Sequence, residues 1–202
     1  NYLIYSNNAT YLKNKELFFT KGQSKAINED IVINAENFEY NKIKNTINAK
    51  GNVEIEDTIN NYLISTNEAT YYKNSEKVIT KGKTKADIQS EYFITSKDVT
   101  YLHEEKIISS QHKTKLKDQK SQVYFADKFN YSINQEIIKG ENFLIITNYK
   151  LPKSDKFFLD NAIINLKDNE FIAKNTKIKV HKDIFDNSEN DPRIEGVSSS
   201  GN

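Results

Sequence analysis

The chain has 202 residues, with 29 basic side chains against 28 acidic ones and a net charge of +1, which leaves no positive excess for a general grip on nucleic acid. Only 37% of positions are hydrophobic and 28% are charged, so either the core is thin or apolar side chains serve one face of a sheet only. Cysteine is absent, which excludes disulfides and thiolate metal sites, and no apolar run reaches the length of a membrane-spanning helix.

There is no methionine and no signal peptide, so residue 1 is not read as a natural start and the chain is expected to be a fragment or a processed product. Asn, Lys and Ile are abundant, and base composition is the simplest reading of the Asn content.

Self-similarity organises the chain. Tyr11, Tyr40, Tyr71, Tyr101 and Tyr131 recur at spacings of about thirty residues. Ahead of each lies a short alternating strand. The first is Tyr2, Leu3, Ile4, Tyr5 and Ser6; the others span residues 31–35, 62–66, 92–96 and 123–126. A polar pair follows each one: Asn7-Asn8, Glu36-Asn37, Asn67-Glu68, Lys97-Asp98 and Asp127-Lys128. Such pairs suit a corner where the strand bends. A second short strand ends on the tyrosine, and a long strand comes next. Gly22, Gly51 and Gly82 sit inside the first three long strands, each after a Lys, and mark a bulge or tight bend. A sixth, degenerate unit runs over residues 157–180.

Along residues 46–57, Ile47, Ala49, Val53 and Ile55 share one parity, while Lys50, Asn52 and Glu54 fill the other. Period two with β-branched residues predicts half-buried antiparallel strands. Units of this kind stack to bury their apolar face, giving two facing sheets joined by a corner in every unit. Many inner positions are small (Ser24, Ala35, Ala49, Thr84, Ala86), which predicts a core that is loose or open along one side. Two readings then stand: a sealed core, or an apolar trough for acyl chains, each buried methylene contributing about 0.8 kcal/mol.

Residues 183–202 change character, with a polar break and then a small-residue stretch. They read as a linker beyond a domain spanning residues 1–182. His103, His112 and His181 lack metal-ligand spacing and are assigned structural or surface roles. Glu104-Glu105 reads as a solvated turn and not an acid/base pair. The tyrosine column is either a stacking platform or cross-strand packing, and the absence of a basic patch favours packing. No phosphate loop or nucleophile motif is present, so no enzyme activity and no cofactor or metal is expected.

The unit I-x-A-x-x-F-x-Y followed by K-x-x-x-I-x-A-K-G-N-V-x-I, at residues 33–55, resembles the OstA-type repeat of lipopolysaccharide transport proteins, and residues 61–86 carry a second good copy. The stretch Asp191-Pro192-Arg193-Ile194-Glu195-Gly196-Val197-Ser198-Ser199-Ser200-Gly201 is similar to the segment that joins the periplasmic domain of LptD-type outer-membrane lipopolysaccharide assembly proteins to their β-barrel. The resemblance implies an all-β, folded-over antiparallel β-jellyroll (a β-taco) of roughly six tandem repeats. It implies a periplasmic domain of a Gram-negative outer-membrane protein. Its partners would be lipopolysaccharide, an LptA-like bridge protein, its own C-terminal β-barrel and an outer-membrane lipoprotein plug. The alternatives are a soluble LptA-like bridge protein and a sealed β-solenoid spacer.

On this reading the acyl-chain groove is lined by Ile4, Phe18, Ile33, Ile47, Val53, Ile55, Ile64, Val78, Ile94, Ile108, Leu116 and Ile138, which share the inner parity. The partner edge is the first strand: Tyr2, Leu3, Ile4, Tyr5 and Ser6.

Overall fold

β-Branched and aromatic residues at alternate positions, punctuated by Asn, Asp and Gly, leave the backbone one regular option, the antiparallel ladder. The computed structural model describes residues 2–185 and 192–201 and realises that option. Among the described residues every registered strand pair is antiparallel, and the helical segments are the short 3-10 turns Lys13–Lys15, Lys73–Ser75 and Lys182–Phe185. The chain divides into two compact units, Asn1–Glu105 and Lys106–Asn202, a division inside the repeat array that the sequence does not announce.

The first unit holds β1 (Leu3–Tyr5), β2 (Asn8–Leu12), β3 (Leu17–Lys21), β4 (Ser24–Asn28), β5 (Ile31–Ala35), β6 (Asn37–Asn41), β7 (Thr46–Asp57), β8 (Tyr62–Tyr72), β9 (Lys77–Lys81), β10 (Lys83–Ile88), β11 (Tyr92–Lys97) and β12 (Thr100–Leu102). Register aligns its inner side chains into two rows. One runs Ile4, Ala26, Ile33, Ile55, Ile64, Ala86, Ile94. The other alternates aromatic and aliphatic residues: Tyr11, Phe18, Tyr40, Ile47, Tyr71, Val78, Tyr101. β7 and β8 pass through both rows, so one sheet is folded into two walls. Tyr62 of the first wall meets Tyr101 of the second edge to face, with ring centroids 6.3 Å apart.

The fold line runs through the predicted corners. Gly51 (φ +79°) and Asn52 (φ +46°) bulge β7, with the register shifting between Lys50 and Val53. Glu36 binds this bend twice: its N–H donates to the Gly51 carbonyl at 2.9 Å, and its carboxylate accepts from Asn52 Nδ2 at 2.7 Å. The acid–Asn pairing recurs as Asp127 with Asn142 and Asp160 with Asn175, each Asn at positive φ. Composition therefore understated Asn, which supplies the left-handed residue at these bends. The predicted corner at Asn67-Glu68 forms without a break: β8 stays continuous there while its buried parity switches from Tyr62 and Ile64 to Ala69 and Tyr71, opposite the β7 bulge.

The small inner residues do not loosen the core, which corrects the expectation of an open interior. Ser24, Ala35, Ala49 and Thr84 sit at the fold line, where bending frees backbone N–H groups from the ladder, while Ala86 lies within the first wall between Ile64 and Ile94 and is itself buried. Thr20 Oγ1 accepts from Phe38 N and Thr80 Oγ1 from Val99 N, each at 2.8 Å, and Thr80 also pairs with Thr84 at 2.7 Å. Hydroxyls at these positions satisfy buried donors that a larger aliphatic side chain would strand.

The second unit holds β13 (Ile107–Ser110), β14 (Thr114–Asp118), β15 (Val123–Ala126), β16 (Lys128–Ser132), β17 (Ile137–Ile146), β18 (Lys156–Asn165), β19 (Glu170–Lys179) and β20 (Arg193–Gly201). Its rows follow the same rule. Ile108, Tyr131, Ile138, Ile164 and Phe171 align in one, and Leu116, Tyr124, Ile145, Phe157 and Ile178 in the other. The small-residue stretch expected to be flexible linker is a strand: β20 pairs along β19 from Arg193 opposite Lys179 to Gly201 opposite Phe171. Alternating small residues suffice there because a ladder needs backbone, not side-chain bulk. Most of the polar break, residues 186–191, lies outside the described residues.

Candidate functional site

Ten of the twelve groove residues expected from sequence are buried: Ile33, Ile47, Val53, Ile55, Ile64, Val78 and Ile94 in the first unit, and Ile108, Leu116 and Ile138 in the second. All face the interior, as their parity requires. Each is at most 2% exposed, so they form packed core and no open trough runs along them. Ile4 and Phe18 differ, being only half-buried. Ile4 ends its row on β1, which the described pairings place beside β4 alone, and Phe18 stands one strand in from the end of the other row, under the exposed Tyr11 of β2. With Tyr2, Tyr11, Tyr40 and the paired charges Glu16 and Lys42 they line a cleft of about 290 Å3. That is near the lower bound of typical ligand sites, room for the end of an apolar chain.

The chemistry of this mouth is amphipathic. Lys42 Nζ lies 3.0 Å from Glu16 Oε2, which also accepts from the Tyr11 hydroxyl at 2.9 Å. Hydrogen bonds from Lys42 and Tyr11 hold the Glu16 carboxyl below its ordinary range. Deeper in, Tyr2 packs edge to face on Tyr40 and Tyr71, at 6.1 and 6.0 Å. Burial, reinforced by the neighbouring Tyr71, pushes the pKa of its hydroxyl well up.

β1 carries the expected partner-edge residues. It pairs with β4 through Leu3, Ile4 and Tyr5. Leu3 and Tyr5 are 61% and 56% exposed, so the strand presents apolar side chains on its outer face. Ser6 turns its hydroxyl back to the Asn8 carbonyl at 2.9 Å and closes the corner after β1.

Elsewhere the tyrosine column is packing: Tyr71, Tyr101 and Tyr131 are buried. Glu104 and Glu105 are exposed in a turn. A larger cleft, about 700 Å3, lies on the second unit around Lys128, Lys139, Ile163, Ile172 and Lys174. Its side chains at Lys139, Ile163 and Ile172 belong to the solvent-facing parity, so it contains none of the groove residues.

One cluster was missed by sequence reasoning. His103 has acids around it from three separate stretches of chain. Its Nδ1 is 2.7 Å from Glu76 Oε2, and its Nε2 is 3.2 Å from both Asp30 Oδ2 and Asp57 Oδ2. Asp57 is itself held by Asn60 N and Nδ2 and by the Tyr101 hydroxyl, at 2.8 to 3.1 Å. Burial, reinforced by Asp57, pushes the Tyr101 pKa well up. Spacing alone could not reveal a set whose contacts span 27 and 44 residues along the chain. A signal was present all the same: Asp57 continues the inner parity of Val53 and Ile55, which puts a carboxylate on a core face.

No family model and no curated protein matches the chain. Among solved structures it is similar to LptH of Pseudomonas aeruginosa, described as the LptA-homologous periplasmic component of the lipopolysaccharide transport device. The identity is 7%, the TM-score 0.31, and the match covers 70% of this chain and 82% of that one. A likeness of that degree carries no function from one chain to the other.

Proposed function

We propose that the chain is a periplasmic lipopolysaccharide-transport module that takes acyl chains into its apolar interior from the N-terminal mouth. The observation that carries this is the pair of continuous apolar rows with half-buried Ile4 and Phe18 near their N-terminal ends, directly beside an edge strand with exposed Leu3 and Tyr5. The OstA-type repeat at residues 33–55 points the same way. The interior is packed, so occupancy beyond the mouth requires the walls to part. The finer reading is the N-terminal domain of an LptD-type protein. It would receive lipid from an LptA-like bridge protein at β1 and pass it to its own β-barrel, which a lipoprotein plugs. The burial of Ile33, Ile47 and Ile138 favours one rival, a sealed structural spacer.

Photo-crosslinking side chains at Phe18 and Ile4 separate the two. A conduit labels lipopolysaccharide at both, with little labelling at the outward controls Asn48 and Glu54. Equal labelling at inner and outer positions means that no interior path exists. Docking has its own test. Ile4→Pro removes an N–H from the edge and distorts its pairing. It is expected to weaken capture of a purified LptA-like protein at least about tenfold, the effect of losing ~1.4 kcal/mol. Unchanged capture moves the docking site away from β1.

A further inference from the structure

The geometry points to a divalent-cation site made by Asp30, Asp57 and His103, with Glu76 orienting the imidazole, that ties the two walls of the first unit together at their tips. Three independent features converge on it, and none depends on the lipid reading.

The first is an orphaned nitrogen. His103 is buried, and its Nε2 makes no hydrogen bond although two carboxylate oxygens lie 3.2 Å away. With Nδ1–H donating to Glu76 Oε2 at 2.7 Å, the Nε2 lone pair faces the carboxylates. A lone pair between two anions is repulsive unless a positive centre lies among them. A proton on Nε2 would supply that charge but would leave its N–H without an aligned acceptor. A cation needs no such alignment.

The second feature is spacing. The candidate ligand atoms lie within 4.8 Å of one another. Two atoms bound at about 2.1 Å to a tetrahedral zinc are ~3.4 Å apart, close to the separation of Nε2 from each carboxylate. One imidazole and two carboxylates suit zinc or another late first-row ion better than calcium or magnesium, which take oxygen alone. The third feature is the outer shell. Glu76 on the distal imidazole nitrogen, and Asn60 and Tyr101 on Asp57, are the contacts that orient metal ligands.

The position gives the site a consequence. Asp57 ends β7 on the first wall, and Asp30 sits in the β4–β5 turn of the same wall. His103 follows β12, and Glu76 precedes β9, both on the second wall. β7 starts at one tip, bends at Gly51 and ends at the other, so the tips meet on the side opposite the fold line. A cation there latches the side of the folded sheet opposite the fold line.

The test uses the full chain, stripped with chelator and titrated with Zn2+ by calorimetry, then with Co2+ by visible absorption. Expected are a single tight site, a raised melting temperature with Zn2+, and a Co2+ spectrum with an imidazole ligand. Asp30→Asn, at a half-buried turn position, should weaken Zn2+ at least about tenfold while retaining the far-UV circular dichroism spectrum. His103→Gln should abolish the Co2+ spectrum, and the exposed His112→Gln should leave all readouts alone. No zinc uptake by the wild-type chain, or equal uptake by Asp30→Asn, overturns the site.

Discussion

Ile55→Asp is expected to abolish cooperative folding of the first unit, while Ile55→Val costs only about 0.5–1.5 kcal/mol. Ile55 is buried and stands between Ile33 and Ile64 in its row. An ionised carboxylate there has aliphatic neighbours on both sides. Burying it costs at least ~4 kcal/mol, a large part of the 5–15 kcal/mol that keeps an ordinary domain folded. Glu54→Gln, one residue away on the solvated parity, should stay within about 0.5 kcal/mol. Urea titration followed by circular dichroism reads the difference. The result also bears on function. A cooperative Ile55→Asp protein within ~1 kcal/mol of wild type would mean that water reaches Ile55, as in an open trough and not in a packed interior.

Native Asp57 shows why parity is not sufficient by itself. It lies two residues beyond Ile55 on the same face and is equally buried. It survives because Asn60 and Tyr101 bind its oxygens and His103 stands beside it. The repeat is legible because identical local demands recur: a tyrosine on the inner face of the second wall, a bend residue eleven positions on, alternation between them. Those demands act within one unit of the repeat and so leave a mark in one stretch of sequence. The cluster at the tips is different. Asp30, Glu76 and His103 come together only because the turns of successive repeats stack, and no local rule requires an acid in any one of them.

The closed interior escapes the sequence for a related reason. Small side chains at Ser24, Ala35 and Thr84 signify missing volume only if they stand in the middle of a wall. At a fold line the walls converge and little volume is left to fill. What the bend needs is acceptors for freed N–H groups, and Thr20 and Thr80 supply them. Similarly, the small stretch after Pro192 lacks bulk, yet its backbone completes a ladder on β19. Composition records side chains and is blind to both uses of the backbone.

The glycines of the fold line offer the second large effect, and they are not equivalent. A Cβ at Gly140 would collide with the Lys128 carbonyl oxygen and approach the Phe143 ring to 2.9 Å. Both neighbours are fixed: Lys128 belongs to β16, paired with β17 through Glu141, and Phe143 is buried. Gly140→Ala must therefore move a strand or expel a core ring, at about 3 kcal/mol or more. Gly82 has φ +83°, but a methyl added there would have nothing within 4 Å, so Gly82→Ala costs only backbone strain, about 1–2 kcal/mol. Gly51 lies between them. It combines φ +79° with a clash against the Glu36 side chain, whose carboxylate can rotate away only by releasing Asn52 and whose Cβ, 2.9 Å from the added methyl, stays in place. The expected order of destabilisation is Gly140→Ala, then Gly51→Ala, then Gly82→Ala. Hydrogen exchange should localise the first to β16, β17 and β18 and the other two to the first unit. If Gly82→Ala proves the most costly, left-handed backbone and not close approach is what these bends require of glycine, and the packed contact between Gly140 and Lys128 is not what holds β16 against β17.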